Sequence, residues 1–519
     1  MARPAQVVKQ VIQSIREHWI AAALLAVGLV LRVLAQVAYH PALLYTDTLK
    51  YLYGAWPGAD PLGYTAILKP ILLVGDLGTV VLIQHLVGLA IAVAIYVLLL
   101  RRGVPRWLAA VAIAPVLLDA YQLQIEQTIM PDLWFEALAV AGLVLLLWRP
   151  EPPVWMIGLS GLIFGLSATV RQIGEILVLP AFLFVAIAIP ARRKAMLGAL
   201  ALLAAFALPI AAYSAISKVE TGHFQLSDEG SIAGRLASTV DCATITLPAD
   251  VRALCPTPAE QARGVDWLEH SSSSPLKHFK VPPGMTRVQL LAAFDSAVEQ
   301  QQAIRVVTGI LRDSVRVFAL SKGPVPGVTP ISRWRFQVTY PEYLPEIKVG
   351  RDQQIILGVQ VKTSRPFRFQ KLNSSYGGRA QVDRPIASFL RAYQLHGGYT
   401  PGPLLLLFAL AGLAGSAIAL FGRRLAGRGG DQERAEEVSN LSMACLLVFV
   451  SIIAVLLISD LFEFSWRYQL PALVMLPPAG VLGAWAVWRT AARRPAPVVP
   501  RTAASLSPAA EPSAEPSPV

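Results

Sequence analysis

Asp47 stands in the stretch Leu44-Tyr45-Thr46-Asp47-Thr48-Leu49-Lys50-Tyr51, directly after the first long apolar run, and Glu126 and Asp132 follow the third. A carboxylate at a membrane–water boundary can take the proton of a hydroxyl. Partial burial there raises its pKa toward the range that suits a general base. Arg467, between Trp466 and Tyr468, and Arg171, before Gln172, carry planar forks that match a phosphate with two parallel hydrogen bonds. His85, in Gln84-His85-Leu86, is placed to line a pocket for an acceptor. Plainer roles stand beside each of these. Asp47 with Thr46 and Thr48 could cap a short helix beginning Leu49-Lys50-Tyr51. Asp132, after Pro131, suits the dipole of a helix N-terminus, and Glu126 competes with it for the place of second acid. Arg467 with its aromatic neighbours could be an interfacial belt, and His85 a simple link between helices.

The elements that must hold these side chains are apolar helices. Hydrophobic residues make up 55% of the 519 and charged residues 15%, where a soluble chain carries roughly 25% charge. Mean hydropathy is +0.53. Apolar runs at 19–38, 79–100, 107–123, 133–148, 154–171, 173–190, 195–216, 401–421, 440–459 and 470–488 give about ten expected spans. Lys and Arg gather in 1–18, 101–106, at Arg149, and in 192–194, 423–434 and 489–501. The short outer loops hold Lys50, Lys69, Arg171 and Arg467. This bias predicts both termini in the cytosol of a multi-pass inner (plasma) membrane protein. The formal charge of +12 therefore reads as topology, and basic residues split among short turns form no nucleic-acid surface. Asp60, Asp76, Asp119, Glu175, Asp460 and Glu463 also fall near outer helix ends. Only Arg32 sits well inside a span, with a stem long enough to snorkel outward.

The expected organisation is a cytosolic N-terminus (1–18), a helical block with catalytic outer loops (19–216), and an extracytoplasmic loop domain of mixed structure (217–400). The last helices (401–488) and a disordered Pro/Ala/Ser tail (489–519) complete it. Within the loop domain, Leu291, Phe294, Val298, Ile304, Val307, Leu311, Val315 and Phe318 recur at helical spacing over 288–320. That helix could pack in the domain or lie on the membrane. The stretch 323–350, rich in Pro and Gly, reads as irregular. Cys242 and Cys255, on the outer side, are expected to form a disulfide, and Cys445, inside a span, to be packing.

Taken in order, Asp47, Asp132 and Arg467-Tyr468-Gln469-Leu470-Pro471 resemble the integral-membrane GT-C glycosyltransferases, which include protein O-mannosyltransferases and aminoarabinose transferases. The run Gly222-His223-Phe224-Gln225-Leu226-Ser227, with Gly234-Arg235, Asp241-Cys242, Leu247-Pro248 and Leu254-Cys255, is similar to bacterial phospholipid-carrier-dependent members. The resemblance implies an all-α polytopic GT-C membrane fold that transfers sugar from a polyprenyl-phosphate donor to a glycan, lipid or protein hydroxyl outside the cytosol. It implies Asp47 as base, Asp132 or Glu126 as second acid, and Arg467, Tyr468 and Arg171 at the donor phosphate. The resemblance assigns no cofactor with certainty. A divalent metal, if used, would fall to Asp47 and Asp132, although the sequence has no compact ligand motif. Thr48 stands where several eukaryotic members carry a second acid, which puts the transfer of their details in doubt. Two other classes predict different features. A flippase for a lipid-linked saccharide needs a polar path at the span midplane, and an envelope scaffold tolerates amides at Asp47 and Asp132.

Overall fold

Helices follow all ten apolar runs in the computed structural model, which describes residues 13, 16–53, 61–226, 232–344, 346–359, 368–421 and 432–492. Asp60, Ser227, most of the expected N-terminal segment and the expected tail beyond 492 lie outside these residues. Six helices among the described residues are long and apolar enough to cross a membrane. They are Trp19–Ala38, Leu77–Arg101, Arg192–Glu220, Gly402–Phe421, Gln432–Phe462 and Pro471–Ala491. A seventh is gained if Arg106–Leu118 and Ala120–Gln127, bent by 50° at Asp119, count as one. The expected ten are thus reduced on length. Asp132–Leu147 has 16 residues and Val154–Val170 has 17. At 1.5 Å per residue the shorter reaches about 24 Å, less than a hydrocarbon core of about 30 Å. The expected 173–190 span begins as a 3₁₀ turn, Gln172–Leu177, before the helix Val178–Ala188.

Local sequence accounts for the breaks. Asp76 caps Leu77–Arg101 by accepting the Thr79 N–H at 2.9 Å. At the bend, Asp119 leaves helical geometry; its carboxylate accepts the Tyr121 N–H at 2.9 Å and the Thr400 N–H at 2.6 Å. One side chain therefore starts the second half-helix and ties it to the entry of the Gly402–Phe421 helix. Helix Val154–Val170 lies against Arg192–Thr221 along a face of glycines. A Cβ on Gly161 would fall 2.2 Å from the Leu202 carbonyl oxygen, and one on Gly165 2.3 Å from that of Phe206.

Arg32 does not snorkel. It is buried, donating to the carbonyls of Gly28, Val116 and Leu117 and pairing with Glu126 at 2.7 Å.

The polar segment between Arg192–Thr221 and Gly402–Phe421 makes two packing units. The first is helical, with Leu236, Leu254, Leu268, Leu290, Phe294 and Val298 in its own core. Its long helix, Arg287–Ser314, breaks from helical geometry at Gln302. Leu290, Phe294 and Val298 face the core before the break, while Ile304, Val307 and Leu311 are exposed after it. Cys242 and Cys255 are joined by a disulfide in this unit.

The second unit holds an antiparallel three-stranded sheet, Ile347–Val349, Ile355–Val359 and Arg368–Lys371, with Ile347 opposite Leu357 and Leu357 opposite Gln370. The expected irregular stretch 323–350 therefore ends in a strand. Ile347, Ile355 and Leu357 join the main helical core. A two-residue pairing of Tyr39–His40 with Gln381–Val382 fixes this unit to the end of the first long helix.

Candidate active site

Residues that are far apart in sequence meet at the end of the bundle where the polar segment sits. Asp47 opens the short helix Thr48–Tyr53, Asp132 begins Asp132–Leu147, and Arg171 ends Val154–Val170. Arg467 lies in the turn between Gln432–Phe462 and Pro471–Ala491. Arg467 Nη1 donates to Asp47 Oδ2 at 3.0 Å, and its Nε stands 3.6 Å from Asp132 Oδ1. Arg171 pairs with the same Asp132 oxygen. Both guanidinium groups lie over the Tyr468 ring, at 4.9 Å for Arg171 and 4.7 Å for Arg467, and the Tyr468 hydroxyl accepts from Arg467 Nη2 at 3.0 Å. Tyr45 and Trp334 supply further ring faces to Arg467, so the polar segment helps to orient it.

Asp47, Arg171, Arg467 and Tyr468 line a cavity of about 320 Å³. Asp47, Lys50, Arg171, Arg467, Tyr468 and Glu463 give it a polar wall. Val170, Ile173 and Phe462 give it an apolar border, and Glu269 and His270 reach it from the polar segment. Asp132 meets the cavity through its two arginine partners, and its Oδ2 is buried without a hydrogen-bond partner among the described residues.

Burial acts to raise the Asp47 carboxyl, as the sequence expects. The charges of Lys50 and Arg467, with Arg171 behind them, outweigh that and hold it down at about 2. Asp47 is therefore a fixed anion. Nor does its carboxylate cap the helix: the Thr48 hydroxyl ties that turn down, accepting from the Tyr45 N–H and donating to the Ile129 carbonyl, each at 2.9 Å. Burial pushes Glu463 the other way, up to about 8, with Asp266 adding to the rise and Arg467 opposing it.

Two expected site residues are elsewhere. Glu126 and His85 are buried in the Arg32 cluster, with His85 Nδ1 3.0 Å from Glu126 Oε2 and His85 Nε2 2.9 Å from Gln127 Oε1. Gln84 Nε2 donates to the Glu126 carbonyl at 2.7 Å, which completes a closed network. Neither residue lines the cavity. Of the two candidates for second acid, only Asp132 stands beside the arginines; the half-helix Ala120–Gln127 turns Glu126 into the block.

The residues present do not suit a divalent cation. Asp47 and Asp132 are already bound by guanidinium groups. Among the described residues no group of three or more His, Cys, Asp and Glu side chains is placed to hold one.

No family model matches the sequence, and no curated protein does. Solved structures do. One is the S. cerevisiae protein O-mannosyltransferase Pmt1-Pmt2 complex bound to the sugar donor. It is 16% identical, with a TM-score of 0.30, over 44% of this chain and 37% of that one. Another is the oligosaccharyltransferase AglB from Archaeoglobus fulgidus, in complex with an inhibitory peptide and a dolichol-phosphate. It is 13% identical, with a TM-score of 0.40, over 92% of this chain and 51% of that one. The chain thus spans about half or less of the length of these proteins.

Proposed function

We propose that the chain is a membrane glycosyltransferase that moves a sugar from a polyprenyl-phosphate donor to a hydroxyl acceptor on the extracytoplasmic side. One observation carries this reading: Arg171 and Arg467, stacked on Tyr468, converge on one cavity at the end of an apolar helical bundle. Two guanidinium forks with Lys50 beside them suit the single phosphate of such a donor. The apolar border of Val170, Ile173 and Phe462 lets a prenyl chain leave toward the bilayer.

The reaction needs no acid catalyst, because phosphate is a good leaving group. The acceptor hydroxyl gives up its proton to a base as its oxygen forms a bond to the anomeric carbon. The bond from that carbon to the phosphate oxygen breaks, and its electron pair leaves on the polyprenyl phosphate. Arg467 and Arg171 stabilise that charge, while Asp47 and Asp132 hold the two forks in place. With a carboxyl held near 2, Asp47 serves here as a positioning group; a base is most effective when its pKa lies near the working pH. The basic bias of the opposite-end turns favours an inner-membrane protein with cytosolic termini, and the polar segment on the outside shaping the acceptor site.

A flippase would need a polar route through the bundle. The buried polar network of Arg32, Glu126 and His85 is closed on itself and 3% exposed or less, which favours the enzyme.

The test is transfer by the purified protein from labelled polyprenyl-phosphate hexoses and pentoses to an envelope extract. The wild type should consume donor. Arg467→Ala should lose on the order of 10²-fold or more, as for other lost oxyanion donors. Donor that stays intact but crosses leaflets in proteoliposomes would establish the flippase instead.

A further inference from the structure

We propose that Glu463 is the group that accepts the acceptor's proton, because among the described residues this cavity carboxyl makes no ion pair and one of its oxygens is buried without a hydrogen-bond partner. This rests on the glycosyltransferase reading above. Asp47 is bound by Arg467, and Asp132 by Arg171 and Arg467, so both are engaged in holding guanidinium groups. Glu463 lies just past the end of helix Gln432–Phe462 and lines the same cavity. Its Oε1 has no hydrogen-bond partner among the described residues. A buried oxygen left unpaired costs stability. An incoming hydroxyl would satisfy it.

The groups facing Glu463 set its behaviour. Asp266 and Glu269 from the polar segment and Asp47 across the cavity favour its neutral form, and Arg467 opposes them. Lys50, Arg171, His270 and Tyr468 share the cavity wall, while Asp460 on its own helix is engaged by Ser314 and Gln469. Burial and these acids put its midpoint at about 8, close to neutrality and far above that of Asp47.

In the step, the acceptor O–H proton passes to Glu463 as the oxygen bonds to the anomeric carbon and the phosphate departs with its electron pair. Protonated Glu463 then returns the proton to solvent. The ionised form is the active one, so transfer should rise with pH through about 8 and level off above it.

The experiment is a pH profile of donor turnover for wild type, Glu463→Gln, Glu463→Asp and Asp47→Asn, with infrared difference spectra of wild type and Glu463→Gln. Glu463→Gln should lose about 10²–10⁴-fold and its residual rate should lose the rise near pH 8. Glu463→Asp should recover part of the rate, and Asp47→Asn should be slowed but keep the rise. The wild-type spectrum should hold a protonated carboxyl band at pH 7 that fades above pH 8 and is missing from Glu463→Gln. A Glu463→Gln enzyme with wild-type rate and profile overturns the proposal, as does the absence of that band. If the wild type consumes no donor while Arg467→Ala is equally inert, it is the glycosyltransferase reading that fails. The infrared band then still decides whether Glu463 holds a proton at neutral pH.

Discussion

Glu126 and Asp132 are six positions apart and carry opposite burdens. Glu126 is wholly buried against Arg32 and His85, where its charge answers an arginine that has no access to water. Asp132 answers Arg171, whose side chain keeps 18% exposure, and Arg467 at the cavity. Removing one partner of a buried pair leaves an uncompensated charge and costs about 3–5 kcal/mol. Glu126→Gln should therefore lower the unfolding temperature in detergent sharply. Asp132→Asn should lower it less and instead suppress transfer, because Arg171 can still reach water but loses its anchor. A scan of both variants by thermal unfolding and by donor turnover separates the roles. Equal melting temperatures for the two would contradict this division.

At the scale of helices, close approach decides more than hydropathy. Gly161→Leu should force Val154–Val170 away from Arg192–Thr221, because the new side chain would begin 2.2 Å from a carbonyl oxygen of the neighbouring backbone. Gly158→Ala, three residues earlier, meets Ala201 no nearer than 3.5 Å and should be tolerated. The folded yields of the two variants, measured by size exclusion, check this; similar yields would mean that the helices can part freely. The same scale explains what the sequence could reveal. Apolar runs are legible as helices since composition alone sets them, and Asp47, Asp132, Arg171 and Arg467 are legible as site residues since charge at the end of such a run is rare. Helix lengths are less so: the helices that begin at Asp132 and end before Arg171 have 16 and 17 residues, too few to span although their apolar character reads as a span. The helix Gly63–Val74 is missed, having only 12 residues with Lys69 and Pro70 among them. The partners of Glu126 and His85 depend on the turn at Asp119. Glu269 and His270 reach the cavity from a segment whose docking leaves no local mark.

Across the whole molecule, the cavity is assembled from both ends of the chain. Asp47 and Arg467 are 420 positions apart, and Asp132 and Arg171 come from between them. Two polypeptides, residues 1–421 and 432–519, should each be inactive when made alone and recover transfer when co-expressed, because the second supplies Arg467 and Glu463. Turnover by the first fragment alone would remove both residues from the reaction. Such an arrangement also has a meaning in time. A chain emerging from the ribosome displays Asp47, Asp132 and Arg171 long before Arg467 exists to join them. Under the proposed function, an unfinished copy therefore has no working site, and the cell's pool of lipid-carried sugar is safe from it until the final pair of helices is in place.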